Sequence, residues 1–583
     1  MTTAGQSRPG LSRALLSISV GISLGAVVVS LYTFTRRVPD GLISDRLGTA
    51  SRFVAGSLIA VAVVATALAG AAVAAWLGRL GAGKAATLLC LICVVTAWCY
   101  LSASPRTWTV AITGPGNRPV VALVQTAWLL LAIAAVLLVA GAVTALGEHQ
   151  PFKWQPALPL TIVGVVIALT AGYGLALLAD IGAPHPTTAA PMEIPEFPRT
   201  LGNKPAYTVT AESIDALTPA GPGFVLTEDE AVIAYDGATG AERWRFPFTA
   251  FPDDCTFRRL RSTGTVPEAV VLAECVRTPE YGKYTDPYLV GLDSMTGRVL
   301  WTMDKGWGLR ARTQLPPDAV PVASADELGS LNPRTGELRW ARSLAELDQQ
   351  CRTAVSTTMA VDHSIVHAAS CGTSVRIHVL DATTGTDHLI EQPTAQQLDK
   401  GSSPIEPIAS YGTVVAMKLS YGFPGQSLGL IVDTRTNTVT EMPSHRISSD
   451  YSSISTGQYP GPIVQLRPTT GTDAAVDLYR VADGITMHAN GIAVYSVGNS
   501  FGPRSGQAWA EVGDQLVTAA VDNHGSPEQL GVVAPDGTST RRTSPCGYAA
   551  NSVVTVPGAV LIACLRTGNQ SVVEYDIFGI PPA

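Results

Sequence analysis

The distribution of apolar and polar positions divides the chain in two. From Ala14 to Leu178 apolar residues run on with few interruptions, whereas from about Ala206 onward they come as short runs bounded by Thr, Gly and Asp. An apolar run of about 20 residues suits a helix crossing a hydrocarbon core. Five stretches meet that description and predict five transmembrane spans at 14–34, 53–77, 85–103, 120–146 and 157–178, within a helical domain at 1–180. The first could read as a signal peptide, but no small-residue cleavage site follows Arg36 and Arg37, and more spans come after it, so retention is expected. The segment 181–204 carries Pro184, Pro186, Pro191, Pro195 and Pro198, a density that resists helix and strand and predicts an extended stalk holding the next domain off the bilayer. Short period-2 runs between turn residues make 205–583 an all-β domain.

That domain repeats one unit: an apolar strand, a turn led by Asp with Gly after it, then a strand ending in Trp. The clearest copies carry Asp236, Gly240 and Trp244, then Asp293, Gly297 and Trp301, then Asn332, Gly336 and Trp340. Weaker copies centre on Asp381 with Gly385, Asp433 with Asn437, Asp483 with Gly484 and Asp536 with Gly537, and Asp576 marks a truncated last copy. Asp or Asn bonds the backbone of the turn it opens, and Gly or Asn takes the left-handed conformation a tight hairpin needs. Trp then supplies a large plate to pack between neighbouring units. Turn signals recurring every about 40 to 57 residues point to a propeller, not a sandwich.

The Asp-x-x-Thr-Gly-x-x-x-Trp pattern resembles the repeat of the PQQ-like, or quinoprotein-like, β-propeller family, whose members include PQQ alcohol dehydrogenases and the assembly propeller BamB. The resemblance implies eight blades, with seven if one weak copy is false, and a ring closed by pairing strands from both ends of the domain, with Tyr207 to Ala211 beside Val572 to Tyr575. The repeated residues build blades and carry no catalysis themselves.

Six cysteines lie in the propeller region. Cys255 and Cys275 are 20 positions apart, as are Cys351 and Cys371, and Cys546 and Cys564 are 18 apart. In each pair the first precedes or begins an inner strand and the second ends the following one, positions that face each other in an antiparallel hairpin. Three disulfides are therefore expected, and disulfides persist in oxidising compartments. This places the propeller outside the cytoplasmic membrane and the N-terminus inside. Basic residues lean slightly the other way, with Arg8, Arg13, Arg79, Lys84 and Lys153 inside against Arg36, Arg37, Arg46, Arg52, Arg106 and Arg118 outside; the cysteines decide.

Composition narrows the chemistry. A net charge of −7 offers no broad attraction to phosphates, which argues against nucleic acid as a partner. The predicted spans hold no ionisable side chain, Gln125 being the most polar, which disfavours transport and suits an anchor. Gly21 and Gly25 form a GxxxG pair that permits close helix approach, and Cys90 and Cys93 read as small buried thiols. His363 and His367 flank a strand, which removes the meaning their spacing would have on a helix. Asp253 and Asp254 read as a solvated turn, and 278–288 as a Tyr-rich hairpin of the kind that often serves recognition. The adjacent cysteines of PQQ alcohol dehydrogenases are absent. The expectation is a membrane-anchored, non-catalytic binding or scaffold module without cofactor, its partners the lipid bilayer and an envelope protein, peptide or glycan. The alternative is a membrane-bound PQQ dehydrogenase using Ca²⁺ and passing electrons to quinone, since quinoprotein glucose dehydrogenase likewise has five spans before its propeller.

Overall fold

The computed structural model describes residues 9–35, 61–68, 118–145 and 157–181, and residues 186–583 apart from several segments, the longest being 278–285, 395–404, 442–462, 467–474, 491–508 and 521–528. The chain forms two compact units, Met1–Pro184 with Phe251–Thr256, and His185–Ala250 with Phe257–Ala583.

The first unit contains helices α1 (Pro9–Thr35), α2 (Arg118–Ala145) and α3 (Ala157–Ile181), with 61–68 also helical. Their close packing follows from small residues. A Cβ added at Gly21 would lie 2.9 Å from Gly164 Cα, and one at Gly164 would lie 2.6 Å from Ile18 O, so the backbones of α1 and α3 touch where both lack side chains. Gly25 faces Ala168 and Gly172 faces Val29 one turn further along. Ser19 Oγ donates to Ala134 O at 2.7 Å and so satisfies a buried hydroxyl between α1 and α2. The outward faces stay apolar, with Leu158, Val136 and Tyr173 exposed.

Three of the five expected spans, 14–34, 120–146 and 157–178, coincide with the described helices α1, α2 and α3. Among the described residues one helix, Ala14–Tyr32, is long and apolar enough to cross a membrane. Helices α2 and α3 run for 28 and 25 residues and contain the apolar stretches Thr126–Gly141 and Leu158–Gly174. The stretches 53–77 (save 61–68) and 85–103, with Cys90 and Cys93, lie outside the described residues.

The second unit is an all-β propeller. Among the described residues it holds eight antiparallel sheets, seven four-stranded and one three-stranded, and seven of the eight are meanders of consecutive strands. They lie at 218–247, 255–303, 308–343, 356–393, 405–441, 463–490 (the three-stranded one) and 509–543, with the eighth at 550–580 completed by 207–211. Middle strands such as Ala231–Asp236 are buried on both faces, whereas fourth strands such as Ser539–Thr543 are largely exposed. That gradient arises when sheets stack face to face around an axis, first strand innermost. The apolar clusters accordingly lie between sheets: Phe224 and Ile233 of the first pack with Leu561 and Ile577 of the eighth, and Leu272 and Leu289 of the second with Val322 and Leu331 of the third.

Tyr207–Ala211 pairs antiparallel with Glu574–Ile580, from Tyr207 opposite Gly579 to Ala211 opposite Tyr575, so the first strand of the domain becomes the outer strand of the last sheet. A four-stranded meander also gives the propeller two unlike ends. Links between strands one and two and between three and four fall at one end, here the turn face. Links between strands two and three, and from sheet to sheet, fall at the other, the loop face.

The proline-rich stretch is not a free-standing stalk. Residues 186–206 belong to the second unit and lie along its turn face. Thr187 N–H bonds Arg245 O at 2.9 Å, Ala189 N–H bonds Thr296 O at 3.0 Å, Gly558 N–H bonds Glu196 O at 2.9 Å, and Gly202 N–H bonds Pro581 O at 3.0 Å. Leu201 is buried with Val512, Val553 and Ile580. Proline density does enforce extension, but an extended chain with unpaired backbone groups can also find partners on a neighbouring surface.

Candidate functional site

The repeat motif is one device with three parts. Asp236 Oδ1 accepts the Thr239 N–H and Oγ1–H, each at 2.8 Å, and the Ala238 N–H at 3.1 Å. Asp293 and Asp381 hold their turns in the same way. Hydrogen bonds from Thr384 to its carboxylate, the backbone one foremost, hold Asp381 below the usual carboxylate range. The motif Gly comes next at positive φ, 73° at Gly297, and the indole from the outer strand of the preceding sheet lies directly on it. A Cβ at Gly297 would lie 2.6 Å from Trp244 Cγ, one at Gly336 2.6 Å from Trp301 Cγ, and one at Gly385 2.8 Å from Trp340 Cγ. Each indole N–H donates into the next turn: Trp244 to Ser294 O, Trp301 to Pro333 O, and Trp340 to Asp381 O and Ala382 O, at 2.7 to 3.1 Å.

The first turn has no preceding Trp, and Tyr207 takes that place. Its ring lies on Gly240 and its hydroxyl donates to Gly237 O at 2.6 Å. Burial, assisted by Asp236, drives the Tyr207 pKa far above its ordinary value, so the hydroxyl stays a donor. Tyr207 therefore ties the eighth sheet to the first as Trp244, Trp301 and Trp340 tie the first four sheets in turn. Sequence spacing does not reveal Tyr207, because it stands far upstream of any turn signal.

The cysteines gather at the loop face. Cys351 is bonded to Cys371 and Cys546 to Cys564, with Cα atoms 4.3 and 5.4 Å apart, and Cys255 and Cys275 are also disulfide-bonded. Cys275, Cys371 and Cys564 all stand where a second strand ends. Cys351 and Cys546 lie in sheet-to-sheet connections and Cys255 begins a first strand. Two sheet-to-sheet connections of this face, through Cys351 and Cys546, and the start of the inner strand at Cys255 are thus pinned, whereas the turn face is overlaid by 186–206. Arg243 Nη2 ties that strap from below, donating to Ala190 O at 2.7 Å and Met295 O at 3.2 Å.

Charge marks one sector of the inner wall. The inner strand Cys255–Ser262 carries Arg258, Arg259 and Arg261; the inner strands Ser356–Val361, Ile405–Tyr411, Trp509–Val512 and Ala550–Val556 carry no basic residue. Beside the arginines lies Glu274, whose side chain is 1% exposed. Its Oε2 accepts the Leu309 N–H at 2.5 Å while Arg259 Nη1 donates to Leu309 O at 2.6 Å, so both polar groups of that residue are held by the neighbouring sheet. Arg258 Nε lies 3.8 Å from Glu274 Oε1. Burial raises the Glu274 pKa, opposed by Arg259, the Leu309 N–H, Arg258 and Arg261.

Other positions resolve more plainly. His367 is buried in a strand, its ring nitrogens 3.1 Å from Thr358 Oγ1 and Asp348 Oδ1, while exposed His363 lies 3.5 Å from Asp318; they do not converge. Asp253, Asp254 and 278–285 lie outside the described residues, as do Asp483 and Gly484. Among the described residues no group of three or more His, Cys, Asp or Glu is placed to hold a metal ion.

The profile of the family described as outer membrane protein assembly factor BamB matches residues 204–422, from the end of the strap into the fifth sheet. The chain carries a BamB-like propeller repeat there, on the residues that bear the motif. No curated protein sequence matches the chain. Solved structures with a similar fold include the Dos1 propeller, 12% identical over 67% of this chain and 95% of that one with a TM-score of 0.34. The WD40 domain of SCAP from fission yeast is 8% identical over 67% and 97%, with a TM-score of 0.33. The propeller domain of the trilobed protease from Pyrococcus furiosus is 9% identical over 57% and 94%, also with a TM-score of 0.33. The chain spans about half the length of the acylaminoacyl peptidases it resembles, 50% and 49%.

Proposed function

We propose that this protein is a membrane-anchored, extracytoplasmic binding module that presents the loop face of an eight-bladed propeller to an envelope protein, peptide or glycan. Each described sheet is taken as one blade, and α1 as the membrane crossing, with the N-terminus inside and the propeller outside, in the compartment where disulfides persist. The reading rests chiefly on the asymmetry of the two ends: the turn face is overlaid by the chain's own strap, and the loop face carries the sheet-to-sheet connections, two of them pinned by disulfides. Connections on a rigid scaffold are where recognition concentrates. The repeats contribute architecture and no reacting group, which favours binding over catalysis.

Photocrosslinking in native membranes tests this. A crosslinker at Ser374, beside the Cys351–Cys371 disulfide, is expected to capture a defined envelope component, and one at Arg298 on the turn face is not. Equal capture from both positions, or capture from Arg298 alone, refutes the assignment of the loop face.

A further inference from the structure

We propose that the inner wall of the second and third sheets, near its loop-face mouth, is a binding site for an oxyanion, a carboxylate or phosphate group of the ligand, received by Arg258 and Arg310 beside the Glu274–Leu309–Arg259 lock. The proposal rests on the loop face being the binding end. One inner strand carries three guanidinium groups, Arg258, Arg259 and Arg261, beside the single buried carboxyl of Glu274, in a chain whose overall charge is −7. The lock explains part of that charge. Glu274 and Arg259 are each engaged with Leu309, and so they position the two-residue strand Gly308–Leu309, which has only two ladder partners of its own.

That lock requires one Arg for one Glu. Arg258 is more loosely engaged than Arg259, ion-paired with Glu274 Oε1 at 3.8 Å but 48% exposed, and Arg310 follows Leu309 directly and is exposed. Both positions lie toward the loop face. Cys255–Ser262 starts at that end, Glu274 precedes Cys275 where the second strand ends there, and Gly308 opens the third sheet from the same side. Guanidinium groups present forked donors that match carboxylate and phosphate oxygens in pairs. Basic charge gathered on this strand, and absent from the other described inner strands Ser356–Val361, Ile405–Tyr411, Trp509–Val512 and Ala550–Val556, favours anions there.

Calorimetric titration of the full chain in detergent micelles at low salt tests the site, with citrate as the carboxylate probe and inorganic pyrophosphate as the phosphate probe. Saturable one-to-one binding of at least one probe is expected, and the probe that binds identifies the group. Arg258→Gln and Arg310→Gln should each weaken it by about tenfold or more, the loss of a charge-assisted hydrogen bond. Arg298→Gln, which removes an exposed turn-face cation, should change it less than about twofold. Failure of both probes to bind the unaltered chain overturns the site whether or not a variant folds, and so does an equal loss in Arg298→Gln. Crosslinking from the loop face that persists while both probes fail overturns the oxyanion site alone and leaves the binding end in place.

Discussion

Gly297→Ala probes the contact on which blade-to-blade packing depends. Gly297 sits at φ 73°, where an L side chain costs about 1–2 kcal/mol. The new Cβ would also come within 2.6 to 2.8 Å of three Trp244 atoms, and Trp244 is fully buried. Overpacking of that kind costs about 1–3 kcal/mol, for a total of about 2–5 kcal/mol. Gly537 separates the two contributions. Its φ is 84°, but a Cβ there meets only His488 O at 3.6 Å, because the preceding outer strand, Ile485–Asn490, has no Trp. Gly537→Ala should therefore cost only the about 1–2 kcal/mol of backbone strain. Asn437 shows the same logic, holding φ 54° in a turn that follows the Trp-less strand Asp387–Pro393. Equilibrium urea unfolding of the detergent-solubilised chain, followed by the far-ultraviolet β signal, measures both costs. In a Trp244→Ala background, itself about 3–5 kcal/mol less stable, the Gly297→Ala cost should fall to that of Gly537→Ala. Equal costs at the two glycines in the native background, or no relief on removing Trp244, would refute the shared role of turn and indole.

Three further outcomes are expected. Gly21→Val forces α1 and α3 apart and should lower the thermal midpoint of the helical unit, whereas Gly174→Val, where a Cβ meets nothing within 4 Å, should leave it unchanged; equal shifts refute the packing. Tyr207→Phe removes the donor to Gly237 O and should cost about 0.5–1.5 kcal/mol in urea unfolding, with an unchanged midpoint counting against closure through this residue. The Asp381 carboxyl is held below its unfolded value, so its stabilisation is complete above the ordinary carboxylate range and is lost as pH falls through the folded value; Asp381→Asn should flatten the acid side of the urea midpoint against pH, and an unaltered slope contradicts this.

The blade motif is legible in the sequence because each of its parts serves a local need: the Asp236 carboxylate bonds Ala238 and Thr239, and Gly240 lies four positions on. The inter-blade role of Gly297 is less visible, since its partner Trp244 is set by ring geometry and not by spacing. Tyr207 and Arg258 escape for the same reason; their significance comes from Gly237 and Glu274, which share no periodic pattern with them. The strap illustrates the limit of composition. Pro191, Pro195 and Pro198 forbid helix and strand, yet whether an extended segment hangs in solvent or lies on a surface depends on acceptors and donors such as Thr296 and Gly558, far away in the chain.

Pairing of Tyr207–Ala211 with Glu574–Ile580 imposes an order of events on biogenesis. The earliest strand to emerge on the ribosome cannot meet its mate until nearly the whole polypeptide has been delivered, so the circle stays a chain of half-shielded leaves for most of that interval. An unpaired edge invites association with other strands, and drawing together ends this distant carries an entropic cost. Completion of synthesis is thereby coupled to completion of the fold: a product cut short near its finish lacks the final clasp and remains open to quality-control proteases.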